Sequence, residues 1–121
     1  MAVGKRTIEL TQIAAKALAD KLGSEIVAID LSEQLVLNQV FLLVTGNNEP
    51  QLQALSDEVQ KKLAEAGEKP ARKEGSGAWI LLDYTDLVVH IQSTELRNYY
   101  MLDRLWNDCP KIDLGLVKVD R

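Results

Sequence analysis

The stretch from Trp79 to Trp106 constrains the fold most, because its pattern changes from strand to helix within one run of the chain. Two short apolar segments, Trp79–Asp83 and Leu87–Ile91, flank the tripeptide Tyr84-Thr85-Asp86, which predicts two antiparallel strands joined by a tight turn. Large apolar residues then recur at helical spacing. The stretch also holds five of the six aromatic residues and the only histidine, His90. The sequence therefore predicts a central hairpin followed by an aromatic helix.

Three further segments predict strands. Glu25–Leu31 (EIVAIDL) and Val40–Thr45 (VFLLVT) are apolar and rich in β-branched residues, as buried strands are. The few residues between them cannot hold a crossover helix, so we expect these two strands to pair antiparallel. Lys69–Glu74 is expected to be an edge strand, since Pro70 is tolerated at the start of an edge.

Two segments before the hairpin have helical spacing. From Thr7 to Leu22 apolar residues recur every three or four positions, with Thr7 as the expected cap and Gly23 as the stop. A second helix is expected to open at Glu49-Pro50, because proline is tolerated in the first turn, and to end at a left-handed Gly67. Its apolar face, typical of a helix packed on a sheet, consists of Leu52, Leu55, Val59, Leu63 and Ala66.

The aromatic helix is expected to start at a cap supplied by Ser93 or Thr94 and to stop before Pro110. Tyr99 and Tyr100 are adjacent and point about 100° apart, so both cannot face the sheet. We expect one of them to be exposed or covered by a partner. More than half of the helix circumference is apolar, through Leu96, Tyr99, Tyr100, Leu102, Leu105 and Trp106.

The composition predicts a single domain over residues 1–121. A chain of 121 residues with 46% hydrophobic residues can build one continuous core. A formal net charge of -4 argues against a protein that neutralises many phosphates, and no apolar run approaches a membrane span. Cys109, the only cysteine, lacks an internal disulfide partner, which favours a cytoplasmic compartment. Residues 109–121 are expected to add a loose strand or to be mobile.

Three groups of residues invite a chemical role, and each has a simpler structural explanation. The loop Thr45–Asn48 joins a strand to a helix but lacks the glycines and lysine of phosphate-binding loops, so a plain turn is favoured. Asp83 and Asp86 would suit Mg²⁺, yet aspartates at the ends of tight turns ordinarily bond turn N–H groups. His90 lies within a strand, away from any nucleophile motif, which favours a half-buried histidine with a hydrogen-bond partner or one at a protein surface.

Six motifs spread between Thr7 and Asp108 are specific in combination, although each alone is weak. They are Asp30-Leu31-Ser32, Val44-Thr45-Gly46-Asn47, Glu74-Gly75 followed by Trp79, Leu82-Asp83-Tyr84, Asp86-Leu87-Val88-Val89-His90, and Arg97-Asn98-Tyr99-Tyr100 running to Leu105-Trp106. Together they resemble the ribosomal silencing factor family, also called Iojap-like proteins. The chain departs from the family pattern at Gln39-Val40-Phe41 and at Pro50.

The resemblance implies one ribosomal silencing factor (Iojap-like) domain with an α/β (α+β) fold. Its mixed sheet of about five strands, flanked by helices, would resemble nucleotidyltransferases without their catalytic carboxylates. The resemblance also implies a translational repressor, with no catalysis and no cofactor. Such a protein would bind the large ribosomal subunit through the ribosomal protein numbered fourteen and block joining of the small subunit, mainly under nutrient limitation. It further allows a homodimer when free.

Two alternative hypotheses stand beside this one. The first is a degenerate nucleotidyltransferase-like enzyme or nucleotide-binding protein that uses Asp83, Asp86 and the Gly46 loop. The second is a self-associating module of unrelated purpose. The first predicts binding of a nucleoside triphosphate with Mg²⁺, and the second predicts dimerisation without affinity for the ribosome.

We expect a docking surface on the hairpin and the last helix. Aromatic residues would supply buried area, and aspartates would pair with lysine or arginine of a basic partner. Exposed charge pairs are worth about 0 to 1 kcal/mol each, so the aromatic residues should dominate affinity. Basic residues between Lys61 and Lys73 are interleaved with glutamates, which favours a solvated face or a minor contact with ribosomal RNA. The expected contact residues are Trp79, Asp83, Tyr84, Asp86, His90, Tyr100 and Arg104.

Overall fold

A five-stranded mixed sheet forms the centre of the fold in the computed structural model, which describes residues 3–34 and 39–116. The order in space is β1-β2-β5-β4-β3, where β1 is Ser24–Asp30, β2 is Val40–Gly46, β3 is Arg72–Ser76, β4 is Trp79–Asp83 and β5 is Leu87–Ser93. Only the central pair β2 and β5 is parallel, and the other neighbours are antiparallel. The predicted mixed sheet, the β1–β2 pairing and the central hairpin are confirmed.

Helices cover the two faces of the sheet unequally. They are α1 (Lys5–Asp20), α2 (Glu49–Glu65), α3 (Thr94–Tyr100) and α4 (Leu102–Leu105). The first face carries α1 and α2, and alternate strand residues such as Ile80, Leu82 and Val89 form the main core with them, each at most 2% exposed. The second face carries a small cluster around Ile29 and Leu43, onto which α4 packs. No helix within residues 3–34 and 39–116 is long and apolar enough to cross a membrane.

The second helix follows its local signals closely. The Asn48 side chain accepts a hydrogen bond of 2.8 Å from the Gln51 backbone N–H, which caps α2. Pro50 lies in the first turn, and Gly67 adopts a φ of +90° just after the helix. The prediction of this helix and of its left-handed end is confirmed.

The ends of the first helix differ from the prediction. It starts at Lys5 rather than Thr7, and the Thr7 carbonyl accepts the Thr11 hydroxyl hydrogen bond at 2.7 Å, so Thr7 is a buried helical residue and not a cap. Leu22, with a φ of +64°, takes the left-handed position. Gly23 instead lies in a tightly packed position, because a Cβ there would lie 2.6 Å from the Val44 side chain and would force a shift.

The predicted edge strand is shifted along the chain. β3 spans Arg72–Ser76 instead of the expected Lys69–Glu74, so it begins three residues later and ends two residues later. Gly75 has a φ of +81°, and a Cβ at this position would lie 2.1 Å from the Trp79 carbonyl oxygen. The close approach of the two backbones therefore depends on glycine. All five residues of β3 are exposed, as expected for an edge.

The aromatic helix is broken into two pieces. Met101 has φ 52° and ψ 48°, a left-handed conformation that ends α3 and starts α4. The prediction of one continuous helix was therefore wrong. The sequence did not signal the break, because it has no glycine or proline at this point. The predicted cap is confirmed, since the Ser93 hydroxyl accepts from the Leu96 N–H at 3.2 Å.

The chain after Cys109 runs along the outer edge of β1. The Asp30 N–H donates to the Pro110 carbonyl at 2.8 Å, and the Ile112 N–H donates to the Ala28 carbonyl at 2.9 Å. This segment supplies partners to an edge that would otherwise be open. The expectation for residues 109–121 also covers 117–121, which lie outside the described residues.

A candidate docking surface of aromatic residues

The strand register places several of the predicted contact residues on the second face of the sheet. Paired residues of β4 and β5 share a face, so the neighbouring pairs Trp79–Gln92, Leu81–His90 and Asp83–Val88 all lie on the side that carries α3. Along β2, Leu43 is the register partner of His90. The hairpin and the aromatic helix therefore meet on one side of the molecule.

Five rings on this face form a continuous series from the interior to the surface. Ring centroids are separated by 4.6 Å between Phe41 and His90, and by 5.9 Å between His90 and Trp79. The series continues with 4.8 Å from Trp79 to Tyr100 and 5.0 Å from Tyr100 to Tyr99. Tilted and edge-on contacts at such distances favour aromatic packing. Sequence reasoning did not include Phe41, because its place depends on the parallel pairing of β2 with β5.

His90 lies behind this surface instead of on it. It is 5% exposed, and its Nδ1 accepts a hydrogen bond of 3.3 Å from the Trp79 indole N–H. Burial lowers the pKa of His90 to about 4, so the imidazole is neutral at pH 7. A neutral ring that accepts at Nδ1 carries its proton on Nε2, and that atom is buried without a partner in the described residues. His90 thus orients Trp79. Because His90 itself is buried, it is not available for direct contact with a partner.

Tyr84 lies apart from the other predicted contact residues. Its ring packs against the main core on the α1–α2 side, and its hydroxyl is buried without a partner among the described residues. Burial raises the pKa of Tyr84 to about 12. The residue is partly exposed, but the structure does not bring it together with Trp79 and Tyr100.

The two aspartates of the hairpin make contacts within the protein, at the turn and at the neighbouring strands. Asp83 accepts from the Thr85 N–H at 2.8 Å, and its other oxygen forms an ion pair with Arg72 at 3.3 Å. Asp86 is exposed, and its backbone carbonyl accepts from the N–H groups of Gln39 and Val40, both at 2.9 Å. In residues 3–34 and 39–116, no group of three His, Cys, Asp or Glu residues is placed to hold a metal ion.

The loop before α2 satisfies its own backbone donors. The Asn47 N–H donates to the Gln51 side-chain oxygen at 2.6 Å, and the Gln51 N–H donates to the Asn48 side chain. Donors that would bind a phosphate at a helix N-terminus are therefore partly taken up by the protein itself. The geometry agrees with a plain strand-to-helix turn.

The outer part of α3 and α4 exposes large apolar side chains. Tyr99 is 78% exposed, Tyr100 48%, Met101 39% and Leu105 67%. Both tyrosines are exposed, although the sequence required this of only one. We call Trp79, Tyr99, Tyr100, Met101 and Leu105 the aromatic surface.

Arg104 lies beside the aromatic surface. It is exposed, and its guanidinium lies 3.9 Å from the Met101 sulfur. A cation next to apolar and aromatic side chains is a common arrangement at protein interfaces, where Tyr, Met and Arg are enriched.

Similarity to known proteins extends over nearly the whole chain. The family described as "Ribosomal silencing factor during starvation" matches residues 4–121. A ribosomal silencing factor of Halalkalibacterium halodurans is 37% identical over 108 residues, which are 88% of this chain and 92% of that protein. The chloroplastic protein Iojap of Zea mays is 29% identical over 105 residues, covering 83% of this chain and 44% of that protein.

Solved structures agree with the sequence comparison. A crystal structure of a protein from Chromobacterium violaceum matches with a TM-score of 0.79 and 39% identity, covering 82% of this chain and 84% of that chain. The family match over nearly the whole chain and the similarity of the fold point to one conclusion. As its motifs predicted, the chain belongs to the ribosomal silencing factor family.

Proposed function

We propose that this protein represses translation by binding the large ribosomal subunit and sterically blocking the small subunit. It binds through the ribosomal protein numbered fourteen, in the cytoplasm, mainly under nutrient limitation, and without catalysis. Membership of the ribosomal silencing factor family supports the ribosome-associated role. The structural observation that carries the binding step is the aromatic surface.

The aromatic surface has the chemistry of an interface centre. Four of its five residues are exposed large apolar side chains, and exposed apolar side chains that are grouped together often mark interaction sites. Tyr100 contacts both Trp79 and Tyr99, so its ring is partly held in place before a partner arrives. Preorganised side chains lose little conformational freedom on binding, which favours affinity.

Charged residues around the hairpin suit a basic partner. Asp86 is exposed at the turn, and Asp83 at the end of β4 is partly neutralised by Arg72. Complementary charge mainly increases the association rate and selects the partner, while each exposed pair contributes about 0 to 1 kcal/mol. Exposed lysines such as Lys61 and Lys69 provide the minor contact with ribosomal RNA.

The test is co-sedimentation of the purified protein with large ribosomal subunits. Tyr100→Ala should weaken binding by about 30-fold, because an interface hot spot contributes about 2 kcal/mol. Leu22→Ala is the matched control, since Leu22 is 79% exposed but lies at the end of α1, outside the aromatic surface. Undiminished co-sedimentation of a folded Tyr99→Ala/Tyr100→Ala double variant would show that this surface is not the binding site.

Subunit joining requires a separate measurement. Light scattering of mixed small and large subunits should show less joining with the native protein and normal joining with Tyr100→Ala. A protein that binds the large subunit but leaves joining unchanged would contradict the steric mechanism. Cross-linking from an introduced photoreactive group at position 99 should label the ribosomal protein numbered fourteen.

The same surface supports a homodimer in the free protein. Exposed Tyr99 and Leu105 would be covered by a second copy when no ribosome is present, since both lie on the aromatic surface. Size-exclusion chromatography with light scattering should then show a dimer that Tyr99→Ala shifts to monomer. Large subunits should compete with dimer formation.

A further inference from the structure

The two helices α3 and α4, which carry most of the aromatic surface, have few buried residues. Arg97 is the one buried residue among the seven of α3, and none of the four residues of α4 is buried. Helices of this length are not stable alone. Their position must therefore be set by contacts with the rest of the protein, and the most buried of these contacts involve Arg97.

Arg97 joins three separate parts of the chain. Its side chain is 3% exposed, and Nη1 donates to the Thr45 hydroxyl at 3.0 Å, while Nη2 donates to the Glu25 carbonyl at 2.9 Å. Its Nε lies 3.5 Å from an Asp103 oxygen in α4. The planar guanidinium can donate in these directions at once, whereas a lysine ammonium provides a single point of charge.

The backbone around these contacts is shaped to meet the guanidinium. The register of β1 against β2 shifts between Ser24 and Val27, and Glu25 within this bulge has a φ of +51°. Met101, at the joint between α3 and α4, has a φ of +52°. Non-glycine residues adopt such angles when their surroundings impose them. Here the bulge directs the Glu25 carbonyl toward Arg97.

Arg97 and the aromatic surface are rigidly connected along α3. Tyr99 and Tyr100 follow Arg97 by two and three positions in the same helix. A change in the rotation or tilt of α3 would separate Tyr100 from Trp79, whose ring centroids now lie 4.8 Å apart. The orientation of the exposed rings therefore depends on where the guanidinium is held.

We propose that Arg97 is a positioning residue that clamps α3 and α4 to the ends of β1 and β2 and thereby sets the aromatic surface for its partner. The effect on binding rests on the proposed function, whereas the clamp is a property of the free protein. Arg97 itself does not touch the partner, because its side chain is buried.

Hydrogen exchange in the free protein tests the clamp. In Arg97→Lys, which keeps the charge, the amides of Tyr99 and Met101 should exchange at least about tenfold faster, while those of β5 change less than about twofold. Thr45→Val, which removes one acceptor with little change of shape, should give a smaller effect in the same amides. Arg104→Lys is the matched control, since Arg104 is an exposed arginine of α4, and it should leave both sets unchanged.

Binding to large ribosomal subunits tests the positioning role. Arg97→Lys should weaken affinity about tenfold, and adding it to Tyr100→Ala should cause little further loss, because residues acting through the same contact are not additive. A uniform rise in exchange across α3 and β5, or no rise, would overturn the clamp. Selective loosening of α3 with unchanged affinity, in a protein where Tyr100→Ala does weaken binding, would overturn positioning and leave the proposed function intact. Normal binding by Tyr100→Ala would instead overturn the docking surface and the positioning role together.

Discussion

The two faces of the sheet differ in the side chains that they bury. On the α1–α2 face, large apolar side chains such as Leu18, Leu55 and Leu82 are completely buried against one another. On the α3–α4 face, the apolar cluster is small, and Thr45, His90, Gln92 and Arg97 are buried beside it. The first face therefore supplies most of the hydrophobic stabilisation, while the second accepts polar groups that cost stability.

Hydrogen bonding sharpens the contrast between the faces. Within residues 3–34 and 39–116, five buried side-chain polar atoms have no partner, and four of them belong to His90, Gln92 and Trp106 on the second face. The fifth is the Tyr84 hydroxyl. Such groups are costly in a stable core and are tolerated where function sets the residue. This distribution is consistent with the proposal that the second face carries the docking surface.

A matched pair of leucine truncations gives the largest expected difference. Leu82→Ala should lower the free energy of unfolding by about 2 to 5 kcal/mol, because the removed atoms leave a cavity in a fully buried site. Leu105→Ala, at 67% exposure, should change it by less than about 0.5 kcal/mol. Urea denaturation followed by circular dichroism measures both. Equal losses would mean that the two faces contribute alike to stability.

The buried histidine predicts a dependence of stability on pH. The pKa of His90 is lowered from 6.5 to about 4, so the unfolded chain binds the proton more tightly, and stability falls as the pH drops from 6.5 toward 4. The full shift corresponds to about 3 kcal/mol. His90→Gln, which does not titrate in this range, should show a flatter profile of unfolding free energy against pH. The carboxylate contribution is common to both proteins and cancels in the difference. Parallel profiles would refute the buried, neutral state of His90.

The smallest expected effect concerns Gln92. Its side chain is completely buried, and both amide atoms lack a partner among the described residues. Gln92→Leu should therefore raise the free energy of unfolding by about 1 kcal/mol, because leucine of similar size has no polar group to desolvate. Thermal and chemical denaturation measure the gain, and Gln60→Leu on the partly exposed side of α2 is the control. A loss of stability would show that the amide is hydrogen-bonded in solution.

The sequence predicted best those helices and strands that are determined by contacts between neighbouring residues. The α2 helix was predicted closely because its signals, Glu49-Pro50 and Gly67, act on neighbouring residues. The break at Met101 was missed because no local residue type causes it. Arg97 was quoted in a motif but given no role, since only its distance to Thr45, 52 positions earlier, reveals the clamp.

The candidate site shows the same division. Trp79 and Tyr100 were identified from sequence, and the structure places their rings in contact. His90 lies behind Trp79, and Tyr84 packs against the main core. The alternation of apolar and polar residues in the strands does not predict either position. Alternation tells which residues share a face but not which face a helix will cover.

The sequence by itself determined the family, the types of the main elements and the surplus of apolar residues after the hairpin. Those properties depend on motifs, periodicity and composition, which are local or additive along the chain. Tertiary structure alone decided that both tyrosines are exposed, that His90 is buried and neutral, and that Arg97 holds two short helices in place. Each of these outcomes arises from contacts between distant residues, because the parallel pairing of β2 with β5 brings Phe41, Thr45, His90 and Arg97 to one face.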